Sequence, residues 1–258
     1  MESGQWALIA GSAEGLGEAF TELLARQKIN LIMVDCKGDS LSTLAEKTEK
    51  LHGIRIIRIP LDLASAGAWE KCMDEARAVD CRILIYNAAY SVVGPFLDHS
   101  SESLERFVDV NNRTPVLLIR AFAIYLKSQG KHGKILLMSS LAGLMAPKYL
   151  APYAATKSFL NALALSLYYE FRPFKIGVNV CCSGIINTPE FHESKARGKV
   201  RMAEPVAVAE YALKMAGRKA FCIHGWRNRL NYFFISRLLP KALASYFVNR
   251  EMERMYPG

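Results

Sequence analysis

The sequence predicts an α/β fold, a doubly wound parallel sheet of about seven strands with helices on both faces. Three observations predict it. Short β-rich runs alternate with longer helical stretches through the first 190 residues. Most of the runs are continuously apolar, as strands are when helices cover both of their faces. The first run leads into a glycine-rich turn and then a helix, the local form of a strand-to-helix crossover at the edge of a parallel sheet.

In chain order, the candidate strands are residues 6–10, 31–35, 54–59, 83–87, 134–139 and 177–182, with a seventh near 220–223. Helices are expected over 14–28, 40–51, 101–126 and 153–171. No repeat, linker or low-complexity segment divides the chain, so 1–258 reads as one domain. After Thr188 the pattern loosens into the polar stretch 190–204, and a lid is expected over about 188–204. A C-terminal extension of about 225–258 follows.

Hydrophobic residues make up 51% and charged residues 22%, the balance of an ordinary globular protein and not of a disordered one. No basic and apolar leader precedes Trp6, and no apolar stretch is long enough to span a bilayer, so a cytoplasmic protein is expected. The cysteines at 36, 72, 81, 181, 182 and 222 form no C-x-x-C pair and show no zinc spacing, so they read as reduced thiols and no metal site is expected. The net charge of +9 is uneven. Residues 225–258 carry Arg227, Arg229, Arg237, Lys241, Arg250 and Arg254 against Glu251 and Glu253. Such a surface can attract nucleic acid, anionic lipid or an acidic carrier protein. No aromatic-basic recognition module accompanies the charge, so nucleic acid is not an expected partner.

The turn after the first strand reads Ala10-Gly11-Ser12-Ala13-Glu14-Gly15-Leu16-Gly17. Glycines there let the backbone approach a pyrophosphate, and the helix that follows offers free N–H groups at its positive end. Asp35 ends the second strand 18 residues beyond Gly17, where a carboxylate accepts hydrogen bonds from ribose hydroxyls. Asp35 and Glu14 both repel a 2′-phosphate and favour NAD(H). Lys37 can reach such a phosphate and keeps NADP(H) open as the other cofactor.

Tyr153 and Lys157 stand at i, i+4, on one face of the expected helix. A phenol beside a cation is suited to exchanging a proton with an alcohol or carbonyl. Ser140 lies 13 residues earlier, at the carboxyl end of its strand, where ligands of such folds bind.

Together these residues resemble the short-chain dehydrogenase/reductase family, which implies a Rossmann-type fold. The resemblance runs over about residues 6–190 and rests on the glycine loop, Leu61-Asp62-Leu63, Asn87-Ala88-Ala89, Asn111, Ser140, Tyr153, Lys157 and Ser183-Gly184…Thr188. It implies a catalytic tetrad of Asn111, Ser140, Tyr153 and Lys157. Lys157 would bind the nicotinamide ribose and lower the tyrosine pKa, and Asn111 would hold a water of the proton relay. Cofactor contacts are implied for Gly11, Ser12, Glu14, Gly15, Leu16, Gly17, Asp35, Asp62, Leu63, Asn87, Ala88, Ile186 and Thr188. Three positions depart from the family pattern: Ala10 for threonine, Tyr86-Asn87-Ala88-Ala89 for N-N-A-G, and Ser183 for proline. They motivate a rival reading, a dinucleotide-sensing regulatory or interaction protein without turnover.

Val92, Val93, Met145, Tyr149 and Phe191 are expected near the substrate, and most are apolar or aromatic. They imply a lipophilic ketone or secondary alcohol as the small-molecule partner. The segment 231–240 is apolar and basic at once. It admits a helix closing the site, an oligomer contact or, least favoured, a membrane-surface contact, since its apolar residues keep to no clean stripe. A subset of bacterial family members has a similar G-x-R-N…L-L-P extension. The family resemblance also implies a homodimer or homotetramer through the helices 101–126 and 153–171.

Overall fold

The computed structural model describes residues 4–194, 196–198, 200–237 and 240–256. Lys195 and Lys199 of the expected lid, and Leu238 and Leu239 of the extension, lie outside the described residues. Seven strands form one sheet: β1 (Trp6–Ala10), β2 (Asn30–Asp35), β3 (Ile56–Pro60), β4 (Ile83–Tyr86), β5 (Gly133–Ser140), β6 (Ile176–Ser183) and β7 (Phe221–Ile223). Their order is β3-β2-β1-β4-β5-β6-β7, and every pairing is parallel. The apolar runs follow from this layering. Trp6, Leu8 and Ala10 enter the core on one face of the sheet, while Ala7 and Ile9 enter the core on the other. A strand buried on both faces has no polar side to show in its sequence.

The helices are α1 (Gly15–Arg26), α2 (Gly38–His52), α3 (Ala68–Ala78), α4 (Ser101–Val108), α5 (Thr114–Ser128), α6 (Ala142–Met145), α7 (Ala151–Phe171), α8 (Pro189–Glu193), α9 (Pro205–Met215), α10 (Trp226–Arg237) and α11 (Lys241–Met255). The helix expected over 101–126 is interrupted. A π-helical turn, Asp109–Arg113, separates α4 from α5 and carries Asn111. The wider turn changes the helical phase around Asn111 and leaves the apolar periodicity on either side intact.

The lid begins as α8, and its two ends are tied together at the base. Asn187 N–H donates to the Ala203 carbonyl and Ala203 N–H to that of Ile185, each at 2.9 Å. The extension packs back across this region through α11. Asn249 Oδ1 accepts from Lys148 N–H at 2.9 Å, Tyr256 and Ser194 share a hydroxyl contact at 2.9 Å, and Arg197 N–H donates to the Met255 carbonyl at 2.8 Å. All three contacts are made by α11 and the Tyr256 that follows it, C-terminal to the segment 231–240. No helix among the described residues is long and apolar enough to cross a membrane.

Gly11 makes the turn after β1 possible. Its φ is +78°, and a Cβ there would stand 2.6 Å from the Ala88 backbone. Gly11→Ala is therefore expected to lower stability by about 1–3 kcal/mol through forced backbone movement. Urea unfolding checks this, and an unchanged midpoint would refute the close-approach argument.

Candidate active site

The carboxyl ends of β1, β4, β5 and β6 open onto one cleft, because every strand of a parallel sheet points the same way. Its floor is the glycine turn. A Cβ on Gly17 would collide with the Gly11 carbonyl, and one on Gly15 would meet Thr188 Cγ2 at 2.9 Å. Asn87 braces the turn by donating from Nδ2 to the Gly11 carbonyl at 2.8 Å, and Ala88 packs on Gly11 from above. Glu14 precedes α1 without capping it, so no side chain takes the first N–H groups of that helix. This cradle of close backbone and uncapped helix start fits a dinucleotide pyrophosphate.

Some expected contact residues face inward. Ser12 is fully buried, and its hydroxyl donates to the Val34 carbonyl at 3.3 Å. Leu16 and Leu63 place their side chains in the two cores, and Ile186 packs against one of them. What these residues present to the cleft is backbone.

At the adenosine end, Asp35 accepts from Ala13 N–H at 2.9 Å through Oδ2 and from Lys37 N–H at 3.0 Å through Oδ1. The Lys37 ammonium is paired with Glu14 at 2.6 Å, and Ser40 donates to the same carboxylate at 3.0 Å. The Lys37 hydrogen bond is the largest influence on Glu14 and helps hold its carboxyl below the ordinary value. Asp62 is also engaged, by Arg106 at 2.8 Å and Ala64 N–H at 2.9 Å. Burial raises its pKa, and those two hydrogen bonds outweigh it, so the carboxyl stays low. The Arg106 guanidinium in turn lies 5.4 Å from the Tyr90 ring centroid.

At the other end, Tyr153 and Lys157 project from the first turns of α7 toward Ser140 at the end of β5. Ser140 Oγ accepts from Ala142 N–H at 3.1 Å, and Ser140 acts to lower the pKa of the Tyr153 phenol. Lys157 is 2% exposed. Its Nζ donates to the Met138 carbonyl at 2.9 Å and lies 5.5 Å from the Tyr153 ring centroid. Gly143 allows this depth, because a Cβ there would stand 2.7 Å from the Lys157 backbone. Burial pulls the ammonium pKa down to about 8, against the raising effect of Glu190.

The family resemblance implies a lowered phenol pKa, and the structure corrects that expectation. Burial pushes the Tyr153 pKa well above the ordinary phenol value, the Glu190 carboxylate pushes it further, and Ser140 only partly opposes them. The buried ammonium is turned toward Met138, and it does not dominate the phenol.

Asn111 is completely buried. Its Oδ1 accepts from Tyr90 N–H at 2.7 Å, and Nδ2 donates to the Tyr90 carbonyl at 2.9 Å and to Thr156 Oγ1 at 3.0 Å. It is thus joined to α7 through Thr156, next to Lys157. Tyr86, one of the departures from the family pattern, is buried and donates to the Val110 carbonyl at 2.6 Å, bracing the same π-helical turn.

Thr188 caps α8, accepting from Phe191 N–H at 3.4 Å. On the substrate side, the Gly94 N–H to Tyr149 carbonyl bond at 2.9 Å joins the 92–94 and 145–149 segments. Val92 is exposed there, Met145, Tyr149 and Phe191 are half-buried, and Ala146 and Tyr149 hold positive φ values of 47° and 66°. Left-handed backbone at two non-glycine residues is strain retained by the surrounding structure.

Sequence reasoning missed Thr156, Arg106 and Glu190 as site residues. Glu190 follows Thr188 by two residues and raises the pKa values of both Tyr153 and Lys157. Glu190 is solvent-exposed at the start of α8, and the desolvation it does feel raises its own carboxyl, against Lys157 and Lys37. Its position two residues past the Thr188 cap was the one available signal.

Residues 5–198 match the short chain dehydrogenase family. Among similar proteins, a very-long-chain 3-oxoacyl-CoA reductase-like protein of Arabidopsis thaliana is 28% identical over 247 residues, covering 93% of this chain and 78% of that one. The very-long-chain 3-oxoacyl-CoA reductase of Neurospora crassa is 30% identical over 192 residues, with 72% of this chain matched to 58% of the relative. The chain thus spans little more than half of that relative's length. A structure reported for 7beta-hydroxysteroid dehydrogenase stereoselectivity superposes with a TM-score of 0.88 at 22% identity, covering 96% of this chain and 97% of the other. A short-chain dehydrogenase from Sphingobium yanoikuyae in complex with NADPH superposes with a TM-score of 0.80 at 22% identity, covering 91% and 94%. The chain belongs to the short-chain dehydrogenase/reductase family and is an NAD(P)-dependent oxidoreductase.

Proposed function

We propose that this enzyme interconverts a lipophilic ketone and its secondary alcohol, with NAD(H) preferred and Tyr153 as the acid/base. The observation that carries the reading is the convergence of Tyr153 and Ser140 at the carboxyl edge of the sheet, Ser140 being a group that lowers the phenol pKa, with Lys157 buried one helical turn away. Ser140 Oγ already accepts from Ala142 N–H, so its own proton is available to the phenol or to a substrate oxygen. In reduction, the Tyr153 hydroxyl donates its proton to the carbonyl oxygen; in oxidation the phenolate takes the alcohol proton. Lys157 and the buried Asn111–Thr156 pair hold the base of the proton path. The glycine turn, Asp35, Asn87, Ala88, Ile186 and Thr188 hold the dinucleotide, which when bound supplies or takes the hydride.

The preference for NAD(H) is supported by Asp35 and by the Glu14 pairing of Lys37. A 2′-phosphate would meet the first carboxylate and would have to displace the second to reach the ammonium. NADH is expected to bind tighter than NADPH by on the order of tenfold, about 1.4 kcal/mol, and Asp35→Ser is expected to narrow that gap. Fluorescence titration of both cofactors checks it, and a wild-type protein that prefers NADPH overturns the assignment.

Apolar Val92, Met145, Tyr149 and Phe191, together with the relatives named 3-oxoacyl-CoA reductases, support a bulky apolar carbonyl substrate. A ketone panel tests this reading, and the highest kcat/KM on small polar hydroxyketones would reject it. Exposed Val108 and Ile124 along α4 and α5, and Phe159, Leu165 and Tyr169 on α7, support a homodimer or homotetramer through these helices. Six free thiols suit a reducing, cytoplasmic setting.

A further inference from the structure

We propose that Cys222 and Cys181 form a peroxide-oxidisable thiol pair, with Cys222 the attacked sulfur and Cys181 the resolving one. The site lies outside the hydride-transfer machinery. Cys181 of β6 stands in register opposite Cys222 of β7, and β7 is a three-residue strand at the edge of the sheet. Neighbouring strands lie about 4.7–4.9 Å apart, inside the roughly 4.4–6.8 Å Cα range that a disulfide needs. Paired residues also project from the same face, and a short edge strand can shift to complete the bond. Both side chains enter the same core on that face of the sheet.

Access comes from a cavity of about 310 Å³ lined by Cys222 together with Tyr211, Lys219, Phe221, Ile223 and Arg229. Cys222 is 5% exposed and meets this opening, while Cys181 is fully buried behind it. The surroundings favour the thiolate at Cys222. The neighbouring Cys181 lowers its pKa most; burial opposes this, and Asn179, Lys219 and Arg229 lower it further. Reactive cysteines sit in partly open, electropositive settings of this kind, often beside a resolving thiol. The other cysteines contrast with it. Cys36 is exposed, yet desolvation, Asp35 and Asp62 raise its pKa. Burial pushes Cys72, Cys81 and Cys182 up to about 12.

Hydrogen peroxide is the co-reactant. The Cys222 thiolate attacks one peroxide oxygen, an S–O bond forms, and the O–O bond breaks. The departing hydroxide takes the proton that Cys222 released, giving water and a sulfenic acid. The Cys181 sulfur then displaces the sulfenic oxygen, forming the disulfide, and the Cys181 proton leaves with that oxygen as a second water. Two thiols are oxidised by two electrons in all, and one peroxide is reduced to two waters.

The test treats the folded protein with peroxide below one equivalent, alkylates the remaining thiols after denaturing, and maps the peptides by mass spectrometry. A linked Cys181–Cys222 peptide lacking two hydrogens is expected, in wild type and in a Cys36→Ser background alike. Cys181→Ser should stop the reaction at a sulfenic acid on Cys222 that a cyclic 1,3-diketone traps, and Cys222→Ser should abolish both products. Oxidation at Cys36 with Cys181 and Cys222 still fully alkylatable overturns the proposal. So does equal peroxide consumption by wild type and Cys222→Ser.

Discussion

Replacing Tyr153 by phenylalanine is expected to lower kcat by about 10²–10⁴-fold, the range that a positioned acid/base contributes. The substitution removes one oxygen and keeps the ring, so dinucleotide affinity and fold should change little. The phenol pKa is raised, and this gives the expected pH behaviour a sign. Reduction requires the protonated phenol, which persists throughout the neutral range. Oxidation requires the phenolate, so its rate should rise with pH across that range. Steady-state absorbance assays in both directions measure this. Turnover by Tyr153→Phe at the wild-type rate would remove the proposed mechanism, whereas loss of turnover together with loss of cofactor binding would point to a structural role for the hydroxyl.

Lys157→Met is expected to abolish activity and make the protein more stable at neutral pH. The ammonium is almost wholly buried, and its pKa falls from the ordinary 10.5 to about 8. Between those values the unfolded chain binds more protons than the folded one, so stability rises with pH through that window. Below pH 8 the penalty is complete and constant. It corresponds to about 3 kcal/mol, from roughly 2.5 pKa units at 1.36 kcal/mol each. Methionine has a similar shape and carries no charge to desolvate. Part of the gain is lost with the hydrogen bond to the Met138 carbonyl, so about 1–3 kcal/mol of added stability is expected at pH 7. The advantage should shrink from pH 8 to pH 10.5. Urea unfolding at several pH values decides the matter, and a variant that is no more stable than wild type at pH 7 contradicts the account.

These two residues illustrate how the local and tertiary levels divide. Tyr153 and Lys157 were legible as a pair because i, i+4 spacing on a helix is a local property. Asp35 and the glycine turn were legible for the same reason, each sitting at the end of an apolar run. What surrounds each of them was not legible. Glu14 and Lys37 read as opposing arguments about a 2′-phosphate, and the fold pairs them with each other. Asp62 read as a cofactor contact, and the fold pairs it with Arg106 from 44 residues away.

The helix expected over 101–126 shows a different limit. A π-helical turn inserts at Asp109–Arg113, and apolar spacing on each side gives no sign of it. That turn places Asn111 against Thr156 of α7, 45 residues later.

From the sequence alone came the strand and helix order, the parallel sheet, the glycine turn and the i, i+4 pairing of Tyr153 with Lys157, all of which follow from periodicity and short-range chemistry. Tertiary structure alone decided how deep Lys157 lies, that Glu190 acts on both Tyr153 and Lys157, and that Cys181 faces Cys222. Burial and the charge of a distant neighbour set a group's pKa, and neither exists until the chain has packed.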